Sequence, residues 1–294
     1  MNVTAGTSVK LSVPPLVLSE IALPEITSTE REVWYDDAGV PCAYGATAHG
    51  HQWLHLPGLA SFCFTDTGEE VRAIPQLSLQ DGLLHDIYFR SVLPLVFQAR
   101  GIEVLHASAV NTPRGIVALC AVSGMGKSTL AVGLNQRGYR MWADDAVAVV
   151  TTGAHVMALP FPFTLRLRPD AAAVFRTSRF SLSPGLVPAS VVEEPGEPRP
   201  LVALCILDRV QEGQEGSAAV EILRLSPAQA FPAVLAHAYC FSLRDTQRKQ
   251  RMVQQYLDLV AQVPTYTVRF RSGLEHLAAV LDGVEQVMQN KREA

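Results

Sequence analysis

Between the apolar run Ile116 to Cys120 and the amphipathic stretch Lys127 to Arg137 lies Ala121-Val122-Ser123-Gly124-Met125-Gly126-Lys127-Ser128, a sequence with few ways to fold locally. Gly124 and Gly126 can take backbone angles closed to other residues and carry no Cβ, so successive N–H groups can turn toward one point. The run before them reads as a buried strand. After them, Leu130, Ala131 and Leu134 give a short helix its inner face, and Gly138 stands where a C-cap belongs. Strand, glycine turn and helix form the context in which this spacing holds a phosphate chain. Loop amides and the helix N-terminus meet the anion, Lys127 neutralises the outer phosphates, and the Ser128 hydroxyl can ligate Mg²⁺. Alanine replaces the first glycine of the pattern at Ala121. The candidate nucleotide-binding residues are Ala121 through Ser128 together with Thr129.

Length and composition set the frame. At 294 residues the chain is one large domain or two modest ones. It is 48% hydrophobic and 18% charged, as a globular protein is, and its net charge of −4 argues against a nucleic acid as partner. No apolar run approaches the ~18 residues of a spanning helix, and Met1 to Glu20 lacks the pattern of a secretory signal. The five cysteines, Cys42, Cys63, Cys120, Cys205 and Cys240, are odd in number and show no metal-ligand spacing. Free thiols in a reducing cytoplasm are expected, with no membrane partner.

Texture changes along the chain. Residues 1–98 read as a β-rich segment closed by a helix over Leu83 to Gln98, which Pro94 kinks or starts. Leu56 to Phe64 alternates loosely, and Asp66-Thr67-Gly68 signals a turn. Residues 99–294 read as an α/β domain. Strands are expected over Ile102 to Val110, Gly115 to Ala121, Tyr139 to Val150 and Leu201 to Leu207. Val253, Tyr256, Leu257 and Val260 mark a helix, Tyr266, Val268 and Phe270 a strand, and Leu274 to Met288 a last helix. Phe180 to Pro200, rich in proline, is either a lid or a plain connecting loop.

Three further pieces accompany the glycine turn: His106-Ala107-Ser108, Arg137-Gly138 and Ala143-Asp144-Asp145. In that order and at these intervals the stretch from His106 to Asp145 resembles the catalytic domain of HPr kinase/phosphorylase and its relatives. That domain shares its fold with ATP-dependent phosphoenolpyruvate carboxykinase. The layout is most similar to the HPr-kinase-related group that includes lasso-peptide precursor kinases. The resemblance implies a phosphate-loop α/β fold that uses ATP and Mg²⁺. It makes Asp145 the base for a serine hydroxyl, places His106 near the transferred phosphoryl group and Lys127 on the γ-phosphate, and gives Asp144 to the metal with Ser128. The Arg-Gly-Leu-Gly signature of true HPr kinases is absent, and Pro169-Asp170 stands in its place, so Asp170 becomes a further candidate metal ligand.

The expected activity is therefore an ATP-dependent phosphotransfer to a serine of a peptide or small protein, a lasso-peptide precursor among the candidates. The alternative is a nucleotide-binding sensor or assembly factor with weak transfer. Carboxykinase chemistry fits less well, because the chain is short for it and lacks an additional lysine–histidine metal pair. Homo-oligomerisation stays open. Plainer readings cover the rest: His49, His51 and His55 as turn or solvent-facing residues, Asp208 as the acid after a buried strand, and Arg244, Arg248, Lys249 and Arg251 as a solvated helix face.

Overall fold

A computed structural model describes residues 12–20, 31–35, 38–76, 81–153, 155–163, 165, 167, 169–175, 196–210, 219–240 and 245–289. The stretch 180–195 of the proline-rich segment and Arg244 lie outside them. The chain is mixed α/β and divides into two compact units, one built from 10–104 and 239–251, the other chiefly from 105–238 and 252–294.

The first unit is a six-stranded sheet with a helical segment. Its strands are β1 (Leu16–Leu18), β2 (Glu32–Tyr35), β3 (Pro41–Ala48), β4 (His51–Leu56), β5 (Ala60–Phe64) and β6 (Val71–Pro75), in the order β1-β6-β5-β4-β3-β2. The meander from β2 to β6 is antiparallel throughout, and β1 joins β6 in parallel. The alternation over Leu56 to Phe64 is two strands and not one, because Pro57-Gly58-Leu59 turns the chain with Gly58 at φ 73°. The helical segment runs through α1 (Asp81–Ile87), a π-turn (Tyr88–Val92) and α2 (Leu93–Ala99). Pro94 explains the break: it has no N–H to donate to the preceding turn, and the wider π-turn absorbs the lost bond while Pro94 sits in the first turn of α2. The segment is fastened by Tyr88 Oη donating to Pro14 O at 2.5 Å. The Arg248–Glu103 ion pair, 2.7 Å long with both side chains largely buried, ties in residues 239–251.

The second unit is a mixed sheet with helices. After β7 (Glu103–Leu105) come β8 (Ala107–Thr112), β9 (Gly115–Cys120), α3 (Lys127–Gln136), β10 (Arg140–Ala143), β11 (Val147–Thr152) and β12 (His155–Leu159). Then follow α4 (Pro169–Phe175), β13 (Arg199–Val210), β14 (Val220–Leu225), α5 (Pro227–Leu235), α6 (Thr246–Gln262), β15 (Thr265–Arg271) and α7 (Leu277–Gln289). The sheet order β10-β8-β9-β13-β12-β11 places β9 among buried neighbours, and β15 pairs with β13 and β14. Every residue of β9 is buried. Helix α3 buries Leu130, Ala131 and Leu134 with Val280, Leu281 and Val284 of α7 in one apolar cluster. The helices approach closely: a Cβ on Gly133 would stand 2.9 Å from Leu281 Cδ1.

Two expected strands are broken where chemistry gathers. Ile102 to Val110 is interrupted at His106, and Tyr139 to Val150 at Asp144 to Ala146. The helical face of 253–260 is rotated from the expected one: Leu257 is 42% exposed, while Met252 and Leu259 are buried beside Tyr256 and Val260. Leu274 falls in a short 3-10 turn before α7.

Candidate active site

Sheet register brings three chain segments to one end of the second unit. Ala107 pairs with Cys120, so β8 begins where β9 ends. Ala143 pairs with Ala109, so antiparallel β10 ends at the same place. His106 and Ser108, the glycine turn after β9, and Asp144-Asp145 after β10 therefore share that end. The turn has the backbone its glycines promised. Gly124 lies at φ 80° and Gly126 at φ 100°, and the latter caps the start of α3. Nothing stands within 4 Å of where a Cβ would project from Gly126. Amides in the first turn of α3 have no acceptor within the helix, which gives this end a positive potential.

Lys127 is 5% exposed and its charge is met by three acceptors. Nζ lies 2.9 Å from Ala121 O, 3.3 Å from Val122 O and 2.9 Å from His106 Nε2. The tautomer of His106 follows from its surroundings. Asp145 O, 3.1 Å from Nδ1, can only accept, so Nδ1 carries the proton and Nε2 offers a lone pair to the Lys127 ammonium. Burial first, then the Lys127 charge, pushes the His106 pKa down to about 4, outweighing the opposing pull of Asp145. The imidazole is neutral near pH 7, as its hydrogen bonds require.

Asp144 is 3% exposed, and its Oδ1 accepts from two hydroxyls, Ser108 Oγ at 2.5 Å and Ser128 Oγ at 2.8 Å. Adjacent side chains on a strand point to opposite faces, so two aspartates in sequence reach one site only if the strand stops. It does stop. β10 ends at Ala143 after a register shift, Ala146 N donates to Asp144 O at 2.8 Å, and Asp145 takes the left-handed φ of 62°. That conformation costs a non-glycine residue roughly 1–2 kcal/mol, least for Asp and Asn.

His106, Lys127, Ser128, Asp144 and Asp145 thus come together, as do the turn residues Ala121 to Gly126 that precede α3. Thr129 follows in the first turn of α3. Asp170 is exposed in the first turn of α4, and among the described residues no hydrogen bond links it to these groups. Asp208 lies within β13, half exposed and paired with Arg269 at 2.9 Å. His51 Nδ1 faces His49 O, and His55 Nδ1 lies 2.8 Å from Ser61 Oγ. Two site residues carried no role in the sequence reading. Ser108 had an available signal, since residues two apart on a strand share a face and His106 was already singled out. His237, after α5, had none. Its carbonyl accepts from His106 N at 2.7 Å, and burial followed by Lys127 lowers its pKa.

The donors suit the groups the sequence implied. Ser128 Oγ and the Asp144 carboxylate are hard oxygen ligands of the kind Mg²⁺ takes. The amides at the start of α3 and the Lys127 ammonium make this end electropositive, and His106 contributes a neutral imidazole beside it.

No family model matches the chain, and no curated protein matches it. Among solved structures it is similar to the HPr(Ser) kinase/phosphatase from Coxiella burnetii. The identity is 10% and the TM-score 0.34, over 63% of this chain and 90% of that one. Likeness at this level is too loose to carry a residue role or an activity across. No helix among the described residues is long and apolar enough to cross a membrane.

Proposed function

We propose that the chain is an ATP-dependent phosphotransferase acting on the hydroxyl of a serine in a peptide or small protein. One observation carries the reading. A Lys127–His106 pair and a Ser108–Asp144–Ser128 cluster, each held by short hydrogen bonds, stand around a glycine turn that runs from a buried strand into a helix. Binding a phosphate chain would need only the turn, the helix end and the lysine. The histidine and the paired acids add groups suited to moving a phosphoryl group and a proton.

In this reading the turn amides and the start of α3 hold the β and γ phosphates. Lys127 exchanges its bonds to Ala121 O and Val122 O for phosphate oxygens. Ser128 and Asp144 would hold Mg²⁺, which neutralises phosphate charge when bound. Asp145 takes the proton of the incoming serine hydroxyl as its oxygen bonds to the γ-phosphorus, while the bond from phosphorus to the β–γ bridging oxygen breaks and ADP leaves. His106, kept neutral beside Lys127, does not add a second positive charge that would hold the product phosphate too tightly.

Labelled ATP with cell extract as acceptor source, followed by Asp145→Asn, tests the proposal. Label should enter a small protein or peptide, and the variant should bind nucleotide with little change while transfer falls by at least 10³-fold, within the range such bases supply. Equal transfer by the variant would remove Asp145 as the base. Tight binding with no labelled acceptor would favour a nucleotide sensor or assembly factor.

A further inference from the structure

Ser108 and Ser128 both donate to Asp144 Oδ1, yet their situations differ. Ser128 is only partly buried and lies in the first turn of α3, at the mouth of the glycine turn. Ser108 is fully buried, held within β8 between β9 and β10, and its 2.5 Å bond to the carboxylate is the shorter of the two. A hydroxyl-to-carboxylate bond of that length is charge-assisted and strong, and burial protects it from competition with water. The strand also fixes Ser108 more firmly than a turn would, because both neighbouring strands hydrogen-bond to β8.

We infer that Ser108 is a positioning residue: it holds Asp144 in the orientation that makes the Ser128–Asp144 pair a cation site for the metal–nucleotide complex. This rests on the phosphotransferase reading above and adds a residue to it. Asp144 follows the point where β10 stops, so its backbone lacks the restraint of a continuing strand. The Ala146 N–H holds its carbonyl, and the Ser108 and Ser128 hydroxyls orient its carboxylate. When Ser128 turns a lone pair to a cation, its proton can still face Oδ1, and Ser108 keeps the carboxylate from swinging toward the metal or away from it. Ser108 is fully buried and presents no surface to a nucleotide or acceptor, so its loss should raise the metal requirement without weakening metal-free contacts to the phosphates.

The test is a Mg²⁺ titration of nucleotide binding. Full-length protein is mixed with a fluorescent ATP analogue, first in chelator and then at rising Mg²⁺, for wild type and Ser108→Ala. Removing a partner that orients a metal ligand usually costs about 10–100-fold in metal affinity. The variant should therefore need at least about tenfold more Mg²⁺ for half-maximal effect, with affinity in chelator unchanged. Ser108→Cys, which keeps a weak donor at similar volume, should fall between the two and serves if the alanine variant does not fold. Wild-type Mg²⁺ dependence in both folded variants overturns the role of Ser108 alone. A wild-type protein whose nucleotide binding ignores Mg²⁺ overturns the cation site itself, and one that binds no nucleotide overturns the phosphotransferase reading with it.

Discussion

At the scale of single residues, the site is a set of mutually dependent hydrogen bonds. His106 is neutral because burial and Lys127 make it so, and its neutrality lets Nε2 accept from Lys127. This has a consequence for stability. A histidine whose folded pKa lies below its unfolded value of 6.5 binds fewer protons in the folded state. Stability is therefore intact above about pH 6.5 and falls as pH drops from there toward 4. Chemical denaturation along that interval should show the decline, and His106→Gln, which can donate to Asp145 O and accept from Lys127, should make it shallower. Asp145 adds a backbone effect. At φ 62°, Asp145→Ala should lose about 1 kcal/mol of stability, while Asp145→Asn should lose little, because asparagine tolerates the left-handed region. Thermal melts of the pair would show whether geometry and chemistry separate at this position. The resemblance singled out His106, Lys127, Ser128 and both aspartates, and the register of β8, β9 and β10 gathers them at one end of the sheet. The bond from Ser108 and the approach of His237 were not legible in the sequence, because each depends on which strand or helix end lies beside His106 after folding.

At the scale of elements, sequence patterning found the strand–turn–helix around Gly124 and missed where neighbouring strands stop. Nothing in Leu105-His106-Ala107 or Ala143-Asp144-Asp145-Ala146 marks a break by glycine or proline, so each reads as one continuous strand. The breaks are made by partners instead: His237 O draws the His106 N–H out of line, and the Ala146 N–H closes back on Asp144 O. On α6, apolar residues lie on more than one side, and helical spacing alone could not say that Met252 and Leu259 face inward and Leu257 outward. The strand that delivers the turn depends on a close contact at its start. At Gly115, φ is 141°, and a Cβ would stand 2.3 Å from Pro200 O, a backbone atom that cannot step aside cheaply. Gly115→Ala should therefore force β9 away from β13 and cost about 2 kcal/mol or more, measured by urea unfolding. Stability within error of wild type would mean that this approach is not required.

At the scale of the whole molecule, the division into two compact units puts the entire hydrogen-bonded network into the unit built chiefly from 105–238 and 252–294. Residues 239–251 belong to the other unit, where Arg248 meets the buried carboxylate of Glu103. Local pattern read Arg248 with its basic neighbours as a solvated face, since a one-dimensional pattern does not contain a carboxylate lying far away in the chain. The proposed function requires that the end of β9, the start of α3 and the buried Lys127 together bind a triphosphate tail. Calorimetric titration of the full chain with Mg-ATP, beside Lys127→Met, tests this most directly. The account predicts saturable binding of one nucleotide per chain, weakened at least a hundredfold in the variant, a loss of about 2.7 kcal/mol. A well-folded wild-type protein with no saturable binding, or a Lys127→Met variant that binds as tightly as wild type, would contradict it.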